Sequence, residues 1–122
     1  MTELCAAKFV LIIMNWIPLV SVSQIAEIKE RSLQKPQLIF KHSIRCSTSS
    51  LAKGRLEKGT TPDNIDFYYL DLINYREISN LVAEAFKVHH ESPQVLLIRN
   101  GECTYEESHI GIRMEEIIEQ AA

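Results

Sequence analysis

Three short apolar runs punctuate the chain, and between them the apolar positions fall into helical spacing. Leu38 to Phe40 is unbroken, as expected of a strand buried on both faces. Ile65 to Leu72 contains Phe67-Tyr68-Tyr69-Leu70, residues that favour a strand. Val95 to Ile98 forms the third run. Ahead of the first, Val22, Ile25, Ala26, Ile28 and Leu33 give one side of a helix, while Glu27, Lys29, Glu30 and Arg31 stay in water. Ser21 and Gln24 make a capping box for it, and Pro36 ends it. A second helix is expected from Cys46 or Ser47 to a stop before Gly54 or Gly59. Thr60 to Asn64 reads as a loop. A third helix buries Ile78, Leu81, Val82, Ala85 and Phe86, with Asn74 and Glu77 as its capping pair. Asn100-Gly101 is a hairpin signal that joins the third strand to Glu102–Glu106. A last helix carries Met114, Ile117, Ile118 and Ala121.

The order is helix, strand, helix, strand, helix, hairpin, helix. Strands separated by helices run parallel through right-handed crossovers, and the hairpin adds an antiparallel pair. The expected class is α/β: a thioredoxin-like three-layer sandwich, a central mixed sheet with helices on both faces.

Composition narrows the function more than the fold. At 122 residues with 46% hydrophobic and 24% charged positions, the chain suits one domain with one proper core. A net charge of −3 leaves no basic footprint for nucleic acid. The cysteines at 5, 46 and 103 are too widely spaced for a disulfide framework or a metal site, and their number suits a reducing compartment. The four histidines show no metal-ligand spacing, and His89-His90 reads as a solvated helix end. The apolar stretch from Phe9 to Val20, interrupted by Asn15, is too short for a membrane span. Lys8 and the small residues Ser21 and Ser23 suit a signal peptide, whereas Glu3 and Pro18 do not. The reading is an N-terminal extension over 1–13 and a domain over 14–122 in the cytoplasm, with Met1 and Met14 both left open as the start.

Cys46 stands out chemically. It follows the first strand in Lys41-His42-Ser43-Ile44-Arg45-Cys46-Ser47-Thr48-Ser49-Ser50, at a strand-to-helix junction. Unpaired amides and the positive end of a helix dipole favour a thiolate there, and the thiolate is the attacking species in disulfide exchange. Ser49 occupies the place where a Cys-x-x-Cys motif has its second thiol. Its hydroxyl either donates to the Cys46 thiolate or caps the helix. Lys41 and Arg45 are cations that could meet the carboxylates of a small thiol. Cys103, just beyond the hairpin turn, reads as a strand residue, and it falls at the far end of the sheet from Cys46 if Pro93 lies near that cysteine.

Lys41-His42-Ser43, Arg45-Cys46 and Ser47-Thr48-Ser49-Ser50 resemble the active-site segment of the bacillithiol-system YtxJ family, the monothiol bacilliredoxins. Asn15-Trp16-Ile17-Pro18-Leu19, Ser92-Pro93-Gln94 and Glu107-Ser108-His109 match the same family, so the resemblance runs from Met14 to about Ala122. It departs at Ile110-Gly111, where the family leads one to expect an aromatic residue.

The resemblance implies a thioredoxin-like monothiol disulfide reductase that removes bacillithiol from protein mixed disulfides. Cys46 would be its catalytic residue, and Lys41, Arg45, Ser47, Ser49, Ser92 and Pro93 would line the substrate. It also implies that Ser92-Pro93 is the cis-proline turn beside the cysteine, offering backbone groups to an extended substrate. No bound cofactor is expected, with bacillithiol as co-substrate. The partners are S-bacillithiolated client proteins, the small thiol and a regenerating reductase, without nucleic acid or membrane. Two alternatives stand beside this reading. One is a redoxin using glutathione or coenzyme A. The other is a thioredoxin-like binding module whose cysteine is incidental.

Overall fold

The three apolar runs become the middle of one sheet. In the computed structural model, which describes residues 14–58 and 61–122, the elements are β1 (Ile17–Pro18), α1 (Ser23–Arg31), β2 (Gln37–His42), α2 (Ser47–Glu57), β3 (Asp66–Asp71), α3 (Arg76–Phe86), β4 (Gln94–Arg99), β5 (Glu102–Ser108), a 3-10 turn (His109–Gly111) and α4 (Met114–Ala121). The proposed extension over 1–13, with Cys5, and loop positions 59 and 60 lie outside the described residues. The strand order is β1-β3-β2-β4-β5. β1 and β2 run parallel to β3, while β4 is antiparallel to β2 and β5 to β4.

Every residue of β2 is buried, which fits its central place between β3 and β4. Alternation along the strands divides the core into two layers. Leu38, Phe40, Phe67, Val95 and Leu97 pack with Ala52 and Leu56 of α2 and with Met114 and Ile117 of α4. Ile39, Tyr68, Leu70, Leu96 and Ile98 pack on the other face with Ile25 and Ile28 of α1 and Ile78, Val82 and Phe86 of α3. This is the three-layer sandwich expected.

Asn100 and Gly101 both have positive φ, 53° and 80°, the two-residue turn that suits a twisted hairpin. Beyond it β5 carries an irregularity. Cys103 pairs with Ile98 and Tyr105 with Leu97, so Thr104 is an extra residue. This bulge turns Cys103 and Tyr105 to opposite layers of the core, although two residues normally separate positions on one face.

Three local expectations are corrected. β1 was not anticipated: two residues, one a proline, leave no periodicity, and Pro18 fits only because the strand is an edge. The capping box of α1 forms by half and not at the cap, because Val22, not Ser21, holds the N-cap. Gln24 Oε1 accepts the Ser21 amide at 3.0 Å, while the Ser21 hydroxyl turns to Ser23 Oγ at 3.2 Å. Asn74 does not cap α3. Tyr75 holds that place, because the Asp71 carboxylate draws the Ile73 amide (3.1 Å) and the Asn74 side-chain amide (2.7 Å) into a turn of their own.

Candidate functional site

β2 ends at His42, and four residues later Cys46 occupies the N-cap of α2 with φ −112° and ψ 119°. That extended backbone ends the turn before the helix, and the Cys46 N–H donates to Ser43 C=O at 3.1 Å. The first helical bond runs from Ser50 N–H to Cys46 C=O at 3.1 Å, so the amides of residues 47–49 precede the ladder. The Cys46 thiol is free and partly exposed, and no side chain caps the helix. Arg45 and Ser47 on either side are exposed. Among the described residues the Arg45 side chain has no hydrogen bond or ion pair.

Ser49 behaves differently from both roles considered for it. It is 0% exposed. Its hydroxyl accepts the Ser43 N–H at 3.0 Å and lies 2.6 Å from His42 Nδ1. It therefore neither caps α2 nor, among the described contacts, bonds the thiol. The His42 ring, 4% exposed, lies between the rings of Phe40 and Tyr69, with centroids 5.6 and 5.4 Å away. Burial, then the nearby Lys53 ammonium, lowers its pKa, against the opposing pull of Asp71, a hydrogen bond to the Ser49 backbone and Glu57. Below this layer Glu57 accepts from Trp16 Nε1 at 2.7 Å and from Lys53 Nζ at 2.6 Å. Burial raises the Glu57 pKa, but those two hydrogen bonds outweigh it and hold the carboxyl below its usual range.

Lys41 is corrected outright. It precedes His42 on the strand and so points to the opposite face, where it is 0% exposed. Its ammonium donates to Ser79 C=O at 3.3 Å and meets His90 Nδ1 at 3.1 Å. Burial lowers its pKa from 10.5 to about 8. The ammonium is committed inside the protein and does not reach a ligand at the surface. His90 is corrected with it. α3 ends at Phe86 and Lys87 takes a left-handed cap, so His90 lies in the following loop and is half-buried against Lys41. Burial, then Lys41, lowers the His90 pKa.

That loop leads to Ser92-Pro93, whose peptide bond is cis. Lys41 pairs with Gln94 in the β2–β4 register, which places Pro93 next to His42, at the same end of the sheet as Cys46. Gln94, fully buried, donates to His89 C=O at 3.0 Å and so ties the loop to the strand. Pro93 has no N–H, and its carbonyl accepts the His109 N–H at 3.1 Å. The backbone groups left to meet a substrate are therefore those of Ser92. The Ser92 hydroxyl is buried and without a partner among the described residues.

Cys103 stands apart. Its partner Ile98 pairs with Gln37 at the start of β2, whereas Cys46 follows the end of that strand. At about 3.3 Å per strand residue the two thiols are about 15 Å apart or more, well beyond disulfide reach. Cys103 Sγ donates to Tyr105 C=O at 3.3 Å, and burial raises its pKa. In the folded protein, iodoacetamide at pH 7 is expected to label Cys46 at least about tenfold faster than Cys103. Equal labelling, read by peptide mass, would contradict this placement.

A model of the family described as monothiol bacilliredoxin BrxC matches residues 17–117. The chain belongs to the monothiol bacilliredoxin family. Its chemistry is thiol–disulfide redox chemistry. Among solved structures, this bacilliredoxin is similar to one described as a candidate oxidoreductase with a thioredoxin fold. The two are 29% identical, with a TM-score of 0.76, over 87% of this chain and 93% of that one. It is also similar to thioredoxin of Malassezia sympodialis (18% identity, TM-score 0.72, 88% and 92% covered). Thioredoxin of Trypanosoma brucei brucei gives 16% identity and a TM-score of 0.68, with 86% and 92% covered. These two share the fold. Among its described residues, no helix of the bacilliredoxin is long and apolar enough to cross a membrane.

His42, Gln94 and Asp71 were missed or left undirected by sequence reasoning. For His42 a signal was present: strand alternation sends Lys41 and His42 to opposite faces, so one of them had to lie on the α2 side.

Proposed function

We propose that this bacilliredoxin removes bacillithiol from protein mixed disulfides, with Cys46, of the two cysteines among the described residues, as the thiol that reacts. The observation that carries the reading is a partly exposed cysteine at the N-cap of α2, with a buried serine where a resolving thiol would sit. The Cys46 thiolate attacks the bacillithiol sulfur of a client mixed disulfide. A Cys46–bacillithiol disulfide forms, the client–bacillithiol bond breaks, and the client leaves as its thiolate. A second small thiol or a reductase then attacks that adduct and returns the Cys46 thiolate, since Ser49 cannot.

The amides of residues 47–49, ahead of the helical ladder, are the donors available to the reacting sulfur. The Ser92 N–H and C=O meet the extended client, as in strand addition. Arg45 is the exposed cation for a carboxylate on the small thiol. A reducing compartment such as the cytoplasm suits a free catalytic thiol.

The test is incubation of the reduced protein with one client carrying bacillithiol, glutathione or coenzyme A in turn. The expected result is release of client thiol from the bacillithiol adduct, faster than from the other two. Release fastest from another adduct would replace bacillithiol in the account. Release from none would leave a binding module.

A further inference from the structure

We propose that His42 and Ser49 are positioning residues for Cys46: a buried histidine–serine pair clamps the turn of residues 43–46 that presents the thiol. The inference rests on Cys46 being the reacting thiol. Three linked hydrogen bonds carry it. The Ser49 hydroxyl lies 2.6 Å from His42 Nδ1 and accepts the Ser43 N–H at 3.0 Å, and Ser43 C=O accepts the Cys46 N–H at 3.1 Å. The chain begins on a side chain fixed in the central strand and ends on the backbone of the reacting residue.

Satisfaction of polar groups sets the direction of the first bond. Ser49 is fully buried, so its hydroxyl proton needs an acceptor inside the protein. With Ser43 N–H already donating to Oγ, that acceptor is Nδ1 of a neutral imidazole. A His42 proton at Nδ1 would take the second lone pair of that oxygen and leave the hydroxyl proton without a partner. Burial, then Lys53 of α2, favours the neutral ring, against Asp71 of β3, a hydrogen bond to the Ser49 backbone and Glu57 of α2, and the rings of Phe40 and Tyr69 pack beside it. The pair is anchored from behind the turn. A residue at this place thus does mechanical work that a second thiol would do chemically elsewhere.

Ser49→Ala removes the link between ring and turn, and His42→Leu removes the acceptor. His42→Asn keeps an acceptor near the Nδ1 position with the branching and heavy-atom count of leucine. The readouts are hydrogen exchange of the Ser43 amide, the alkylation rate of Cys46 by iodoacetamide, and bacillithiol transfer.

We expect Ser49→Ala and His42→Leu each to slow Cys46 about tenfold, within the range that small misplacements cost. The double variant is expected to be no slower than the slower single one, because one clamp cannot be broken twice. His42→Asn is expected to recover most of the rate. The Ser43 amide is expected to exchange faster in Ser49→Ala. Wild-type alkylation and exchange in Ser49→Ala would overturn the clamp, as would losses that add in the double variant or equal losses in His42→Asn and His42→Leu. A wild-type protein that alkylates normally but transfers no bacillithiol would overturn the functional reading instead, and the exchange and alkylation results would still decide the clamp.

Discussion

Cys46→Ser is expected to abolish thiol transfer while making the protein more stable. A serine oxygen cannot form or break a disulfide, so transfer falls to the uncatalysed background. The backbone gives the stability sign. Cys46 holds the N-cap of α2 in the extended conformation typical of that place, yet contributes no side-chain cap. Serine is among the best N-cap residues and would accept an amide from the first turn, a gain of about 1 kcal/mol. For a domain of this size that is a rise of about 4 °C in Tm. Thermal unfolding and transfer measured on the same sample check both halves. Lost transfer together with a lowered Tm would mean that the substitution damages the fold.

Lys41→Met is expected to remove a pH dependence of stability that the wild-type protein carries. The Lys41 pKa falls from 10.5 to about 8 because the ammonium is buried, which corresponds to about 3 kcal/mol of native-state penalty. Below pH 8 both folded and unfolded chains hold the proton, and the penalty is present in full. Between about 8 and 10.5 the unfolded chain still binds the proton and the native chain does not, so stability rises with pH. Above 10.5 the lysine is neutral in both states and the penalty is gone.

Burial also raises the pKa of Tyr68, Tyr69, Tyr105 and Cys103, so their native forms hold protons longer and stability falls at high pH. These contributions are common to both proteins and cancel in the difference. Urea unfolding should therefore show wild type gaining about 3 kcal/mol on Lys41→Met between pH 7 and 11. At pH 7 methionine relieves the charge but leaves Ser79 C=O and His90 Nδ1 without their donor, which offsets about 1–3 kcal/mol. A difference that stays flat with pH would show that the ammonium is solvated.

Lys41 also shows where sequence reading stops. The apolar run Leu38–Phe40 and the hairpin pair Asn100-Gly101 announce themselves because burial and backbone conformation each restrict the residues allowed. The strand-to-helix junction at Cys46 was legible for the same reason: an apolar run gave way to a serine-rich helix start. A lysine at the end of an apolar strand, however, reads equally as a surface cation or a buried amine. The deciding partners, Ser79 and His90, are 38 and 49 residues away. Ser49 was singled out for its spacing from Cys46, but its hydroxyl is claimed by His42 across the strand-helix turn, a tertiary contact that spacing does not encode. The bulge at Thr104 left no mark either, since neither Cys103 nor Tyr105 is restricted to one face. Ile17–Pro18 is too short for any pattern.

The central claim is that Cys46 does the chemistry, and peptide mass spectrometry tests it most directly. The reduced protein is mixed with a bacillithiolated client, quenched with acid at short times and digested. The account expects one bacillithiol on the peptide carrying Cys46, an unmodified Cys103, and client thiol released in equal amount. An internal disulfide involving Cys46, or bacillithiol found on Cys103 while Cys46 stays free, would contradict it.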